Sequence, residues 1–181
     1  MHSVAYFVVA DKGPDDPLLA ARQALLTRHV GSGAQVVAVR DPDRDRADPA
    51  DYQGAVSDWH EARAEAYEQV MLEQPGDVGF LVWGDPAFYD STIRIVERVL
   101  ARGKVEAEWD VIPGISSLQL LAARHRIVLH EIGQPITVTT ARKLREAVEA
   151  GADNILVMLS VRIDLDGFDE WHIWWGANLG T

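Results

Sequence analysis

Two short stretches hold the residue types that bind small ligands. One is Trp83-Gly84-Asp85-Pro86-Ala87-Phe88-Tyr89-Asp90, where the apolar run from Val78 to Trp83 stops at a glycine and an acid. The other is Val111-Ile112-Pro113-Gly114-Ile115-Ser116-Ser117, where a second apolar run gives way to glycine and two serines. Glycine at such a point lets a ligand approach the backbone closely. Free N–H groups at a helix start hold a carboxylate or phosphate. Asp85 offers oxygens that accept hydrogen bonds from ribose hydroxyls. Ser116 and Ser117 offer hydroxyls that bond either a ligand or their own helix. Each stretch also has a plainer reading, because Gly-Asp-Pro is a common turn tripeptide and Ser-Ser a common helix cap. Two such edges in one parallel sheet strengthen the case for a site, since ligands of open α/β sheets sit beyond the carboxyl ends of strands.

Other candidates carry less. The histidines are scattered, and His60 in Trp59-His60-Glu61 has no second histidine four residues away, so no metalloprotease helix is present. His60 and His125 read as exposed helix residues. No Ser/His/Asp set is readable. Gly31-Ser32-Gly33 follows no strand and lacks a third glycine, which argues against a dinucleotide fingerprint. Trp171, Trp174 and Trp175 suit a core or an interface, or the face of a large flat ring. Arg142, Lys143 and Arg145 read as a solvated helix face that could also meet an acidic ligand.

The elements that must position these residues alternate. Apolar runs predict strands at Val4–Ala10, Gln35–Val39, Val78–Trp83, Trp109–Ile112, Ile136–Thr139 and Asn154–Leu159, with Trp171–Trp175 as a further candidate. Helical spacing predicts helices over Pro17–His29 (Leu18, Ala21, Leu25 and Leu26 inward) and over Asp90–Arg102 (Ile93, Val96 and Leu100 inward). A helix opening at Asp58, with Glu61 completing a capping box, turns Trp59, Ala62, Ala66 and Val70 inward. Further helices start at Ser116 or Ser117, running to about His125, and after Thr140, with Ala141, Leu144 and Val148 inward. Residues 40–54 form a polar loop. This order predicts an α/β fold with a mostly parallel sheet. The stretch from His125 to Pro135 reads as a linker, giving a first domain of 1–131 and a second of 132–181. About 50 residues is small for an independent domain.

The chain has 181 residues and a formal net charge of −11. That charge argues against non-specific nucleic-acid binding, which needs a basic face. There is no cysteine, which excludes disulfides and thiolate chemistry. No apolar run approaches the roughly 20 residues of a membrane span. The first residues lack a signal-peptide pattern, so the expected location is cytoplasmic.

Taken in order, "VGFLVWGDPAFYDSTIRIVERV", "VIPGISSLQLLAARHRIVL", "ITVTTARKLRE" and "WHIWWGANLGT" resemble the tetrapyrrole methylases, the S-adenosylmethionine enzymes of corrin and sirohaem synthesis. The resemblance runs along essentially the whole chain. "WGDPAFYDST" and "WWGANLGT" point to the branch of aerobic cobalamin synthesis that methylates ring carbon 1 of precorrin-5 and deacetylates it. The resemblance implies two α/β domains with S-adenosyl-L-methionine kinked in the cleft between them, leaving as S-adenosyl-L-homocysteine. Carried over by motif, Gly84, Asp85, Phe88, Ser116 and Ser117 line the donor site. Met158 and Leu159 match a strand end of the second domain that touches the donor, and Asn178 and Leu179 a further contact. A polycarboxylate precorrin is the implied substrate, with local arginines offsetting the acidic average, and a homodimer the implied assembly. No metal is implied, and neither motif nor spacing assigns the base for deacetylation.

Family members begin with a strand and a Gly-x-Gly-x-Gly-Asp-Pro loop ahead of the segment that opens this chain, and continue past its final Gly-Thr. "SVRIDLDGFDE" also stands where they have a longer glycine-containing loop. The expectation is therefore a chain shortened at both ends, with an incomplete second α/β domain. Its alternatives are a working methylase, an inactive remnant with weak or no donor binding, and another S-adenosylmethionine-dependent tetrapyrrole methylase.

Overall fold

The structure, a computed structural model, describes residues 4–13, 16–31, 33, 35–43, 51–159, 162–177 and 179. Ser32 of the glycine turn, residues 44–50 of the polar loop and Asn178 lie outside the described residues. The elements run β1 (Tyr6–Asp11), α1 (Pro17–His29), β2 (Gln35–Arg40), α2 (Tyr52–Glu73), β3 (Val78–Phe80), α3 (Thr92–Ala101), α4 (Ser117–His125), β4 (Thr137–Thr140), α5 (Leu144–Glu149) and β5 (Ile155–Met158). Their contacts divide the chain into two units, Met1–Pro113 and Gly114–Thr181.

In the first unit a parallel sheet runs in the order β2-β1-β3. Tyr6 aligns with Gln35 on one side and with Val78 on the other. The central strand is apolar almost throughout because both its faces are covered: Tyr6, Val8, Val9 and Ala10 are all buried. Tyr6, Val8 and Val39 pack with Ala64 and Tyr67 of α2 and with Ile95 and Val99 of α3. Gly79 allows the close approach of β3, since a Cβ there would lie 2.8 Å from the Phe7 ring. Asp16 caps α1, accepting from the Leu18 N–H at 3.0 Å.

α2 and α3 are joined by charge as well as packing. Glu68, buried on α2, accepts from Arg102 Nε and Lys104 Nζ, each at 2.9 Å. Glu61 pairs with Arg98 at 3.1 Å and with Arg102. Hydrogen bonds from these cations hold both carboxyls below the ordinary carboxylate range. On the other side of α2, Arg63 Nε lies 3.0 Å from Asp41 Oδ1, close enough to attract although the pair is not aligned as a hydrogen bond. The Arg63 guanidinium also sits 4.7 Å over the Trp59 ring.

In the second unit, β4 and β5 form a parallel pair with Thr137 opposite Ile155 and Thr140 opposite Met158, and α5 makes the crossover. Leu118, Leu144 and Phe168 are buried. α4 belongs here: His125 Nε2 lies 2.9 Å from the Trp175 carbonyl oxygen, and a Cβ on Gly176 would come within 3.1 Å of Leu121. Asn154 Nδ2 donates to the Leu129 carbonyl at 2.8 Å. These ties place the division by contacts at residue 113, whereas the linker composition near residue 132 marks the connection between α4 and β4.

Several elements differ from the sequence reading. α2 starts at Tyr52, because Asp51 caps it by accepting from Gly54 N–H at 2.8 Å, and Asp58 lies inside the helix. Its buried stripe is His60, Ala64, Tyr67 and Glu68; of the expected inward residues, Ala66 and Val70 pack against the core while Ala62 is exposed. In α3 the buried pair is Ile95 and Val99, and in α1 Leu26 is buried while Leu25 is exposed. Trp109–Ile112 joins no sheet, and Trp171–Trp175 is no strand. Thr140 precedes a 3-10 turn, Ala141–Lys143, without a side-chain cap bond.

Candidate functional site

The Gly-Asp-Pro loop leaves the carboxyl end of β3. Gly84 turns the chain at φ +79°, a conformation that suits glycine and strains other residues. Asp85 then closes the turn on itself. Its Oδ1 accepts from the Ala87 N–H at 2.8 Å, and its carbonyl accepts from the Phe88 N–H at 3.2 Å. Pro86 is buried beneath the loop while Trp83, Phe88 and Tyr89 are exposed. Tyr89, at φ +53°, is a second left-handed residue and not a glycine. The plain reading of Asp85 as a turn residue is therefore the one these bonds show. The carboxylate shapes the turn, and an ionised carboxylate has roughly four acceptor positions, of which the Ala87 N–H takes one.

The loop ends at Ser91, the N-cap of α3. Ser91 makes no side-chain cap bond. Asp90 supplies one instead, its Oδ1 accepting from the Thr92 N–H at 2.6 Å. The Ser91 hydroxyl lies 2.9 Å from His60 Nε2 on α2. His60 is only 7% exposed, contrary to its reading as a surface residue. No periodic apolar stripe includes it, so the pattern of α2 hid it.

In the second unit, Ser116 caps α4 and is 2% exposed. Its Oγ accepts from the Gln119 N–H at 3.5 Å, and Gln119 Oε1 accepts from the Ser116 N–H at 2.6 Å. This is a full capping box, so the Ser116 hydroxyl serves its own helix first. Ser117, the first helical residue, is exposed. Met158 ends β5, and Leu159, 68% exposed, follows it at φ +54°. The carboxyl ends of β4 and β5 lie side by side, as Thr140 faces Met158. A Cβ on Gly176 would meet Leu179 at 2.9 Å and Leu121 of α4 at 3.1 Å, which puts Leu179 near α4. Gly84, Asp85 and Phe88 thus share one loop of the first unit, while Ser116, Ser117, Met158, Leu159 and Leu179 belong to the second.

Two basic residues of the second unit, Arg145 and Lys143, are engaged. Arg145 Nη2 donates to Asp164 Oδ2 at 2.6 Å and to the Asp166 carbonyl at 3.1 Å, and its guanidinium lies 5.8 Å from the Phe168 ring centre. Lys143 pairs with Glu146. The Asp166 N–H, and then Arg145, hold Asp164 below its usual range. Among the described residues, no three metal-ligating side chains cluster, and no helix is long and apolar enough to cross a membrane.

The sequence profile of the tetrapyrrole (corrin/porphyrin) methylases matches residues 5–171. The chain is 48% identical over 141 residues to a precorrin-6A synthase [deacetylating] from Sinorhizobium sp, covering 75% of this chain and 54% of that protein. It also matches the crystal structure of a cobalamin synthesis related protein (CobF) from Corynebacterium diphtheriae, at a TM-score of 0.68 and 36% identity, over 86% of this chain and 61% of that one. The mixed α/β architecture is therefore shared with that solved structure. The chain spans about half the length of the curated relative it matches.

Proposed function

The chain belongs to the tetrapyrrole (corrin/porphyrin) methylases, and from that premise we propose that it is an S-adenosylmethionine-dependent C-methyltransferase acting on a precorrin in cobalamin biosynthesis. The reaction is that of precorrin-6A synthase. Ring carbon 1 of precorrin-5 takes the methyl group, and its acetyl group leaves with a water as acetate. The observation that carries this reading is the 48% identity to the Sinorhizobium precorrin-6A synthase.

The residues present fit such a donor. Beyond β3, the left-handed turn at Gly84 exposes backbone to a ligand, and Phe88 offers an exposed flat face. When bound, S-adenosylmethionine supplies an electrophilic methyl group on its sulfonium. The chain's own part is positional: Asp85 accepts hydrogen bonds from ribose hydroxyls, and Phe88 covers an apolar face. By the family motif alone, Ser116, Ser117, Met158, Leu159 and Leu179 of the second unit are assigned as further donor contacts. Holding the ring carbon in line with the methyl group accounts for most of the expected acceleration. We further propose a homodimer working in the cytoplasm.

Calorimetric titration with S-adenosylhomocysteine tests the donor site. Binding should be measurable, and Asp85→Ala should weaken it by about tenfold, the size of one lost charge-assisted hydrogen bond. An unchanged affinity removes Asp85 from the site. No heat at millimolar ligand selects the other reading, a member of the family that does not bind the donor. Release of acetate from precorrin-5 tests the reaction itself.

A further inference from the structure

We infer that His60 is a positioning residue that pins the Gly84–Asp90 loop through Ser91, and that loosening this pin weakens the binding of an adenosyl ligand. The inference rests on the donor-loop reading above for its ligand, and on geometry alone for the pin.

A serine in the N-cap position ordinarily turns its hydroxyl onto the N–H two or three residues on, a bond whose loss costs about 1 kcal/mol. Ser91 forgoes that bond. Its backbone is at φ −106° and ψ −6°, already helical, and its hydroxyl meets His60 Nε2 at 2.9 Å instead. The cap role passes to Asp90, one residue earlier, whose Oδ1 takes the Thr92 N–H. A helix start normally settled by local bonds is thus tied to a side chain thirty-one residues away in sequence. His60 is itself fixed: it is buried, and the Trp59 ring lies 5.2 Å from its own, tilted by 43°.

The loop between buries Pro86. It leaves β3 after Phe80, turns at Gly84, carries a left-handed Tyr89, and is held inside by the two bonds Asp85 makes to Ala87 and Phe88. Its aromatics Trp83, Phe88 and Tyr89 are exposed. The entry is set by the sheet and the exit by His60 and Ser91. Asp85 and Phe88 lie between these two fixed ends, so their placement depends on both.

Two measurements test the pin and its purpose separately. In the first, amide exchange is followed by NMR in wild type, His60→Leu, Ser91→Ala and His60→Gln. The Ala87 and Phe88 amides should exchange about five- to tenfold faster in His60→Leu and Ser91→Ala, the scale of one lost hydrogen bond. The central-strand amides of Val8 and Val9 should not change. His60→Gln, which keeps a polar group in reach of Ser91, should restore much of the protection. Loop exchange equal to wild type in both His60→Leu and Ser91→Ala overturns the pin, whatever the loop binds. In the second, S-adenosylhomocysteine affinity should fall by about fivefold in His60→Leu and in Ser91→Ala, and the double variant should be no worse than either. If Asp85→Ala loses affinity while both pin variants bind like wild type, the purpose is overturned and the donor site stands. If Asp85→Ala binds like wild type while both pin variants weaken binding, the pin is upheld and the assignment of Asp85 fails instead.

Discussion

Gly84 and Ser116 stood out by residue type, and both turn out to be structurally demanding positions. Gly84 at φ +79° forbids an easy side chain, so Gly84→Ala should cost about 1 kcal/mol in chemical denaturation, chiefly from backbone strain. Ser116→Ala removes half of a capping box at a buried position, and a loss of about 1 kcal/mol is expected by the same measurement. If either substitution is neutral, the local geometry drawn around it is wrong. Both residues were legible because glycine at a strand end and serine at a helix start each have a definite backbone reason, a left-handed turn and a cap. His60 was not legible. Its partner Ser91 looks like an ordinary cap, and only the fold shows that the hydroxyl faces another helix. The same holds for Asp85, whose turn-making bond to Ala87 is compatible with either role that the tripeptide suggests.

The pair α2 and α3 shows how elements can be predicted and yet misplaced. The helical periods were visible and Ala66 and Val70 do pack on the core, but the buried positions of α2 include His60 and Glu68, which a search for apolar spacing passes over. Glu68 is tolerated there because Arg102 and Lys104 complete it. Its folded-state pKa, like that of Glu61, is depressed by these cations, so the pairing stabilises the fold fully above the ordinary value of 4.5 and is lost as pH falls below it toward the folded value. Melting temperature followed from pH 7 to about pH 3 should therefore fall for the wild type, and fall less steeply for Glu68→Gln, which starts lower at pH 7. Parallel curves would mean that the pair does not couple to folding. The core beneath these helices has a plainer test. Ile95→Ala, at a site with no exposed surface, should cost about 2–5 kcal/mol in urea denaturation. The strand expected at Trp109–Ile112 failed for a different reason. Apolar content marks a stretch as sticky, but a strand needs a ladder partner, and none of the described strands pairs with it.

Across the whole molecule, the alternation of strands and helices was enough to give the α/β class and the parallel sense of both sheets. The linker composition did not give the division by contacts, because α4 is claimed by residues fifty positions further on, through His125 and Trp175. The stretch before residue 114 has no helix or strand and includes Ile112, 84% exposed. Limited chymotrypsin digestion should cut there first, leaving fragments that match the two units, and early cleavage inside α2 would contradict the division. The order β2-β1-β3 has a consequence during synthesis. β1 is the middle strand of its sheet, yet Tyr6 meets Val78 only after roughly 70 more residues have been made, which at about 5–20 residues per second is several seconds. Until β2 is made both edges of β1 are bare, and until β3 follows one still is, so Tyr6–Asp11 is the segment a chaperone at the ribosome exit would hold.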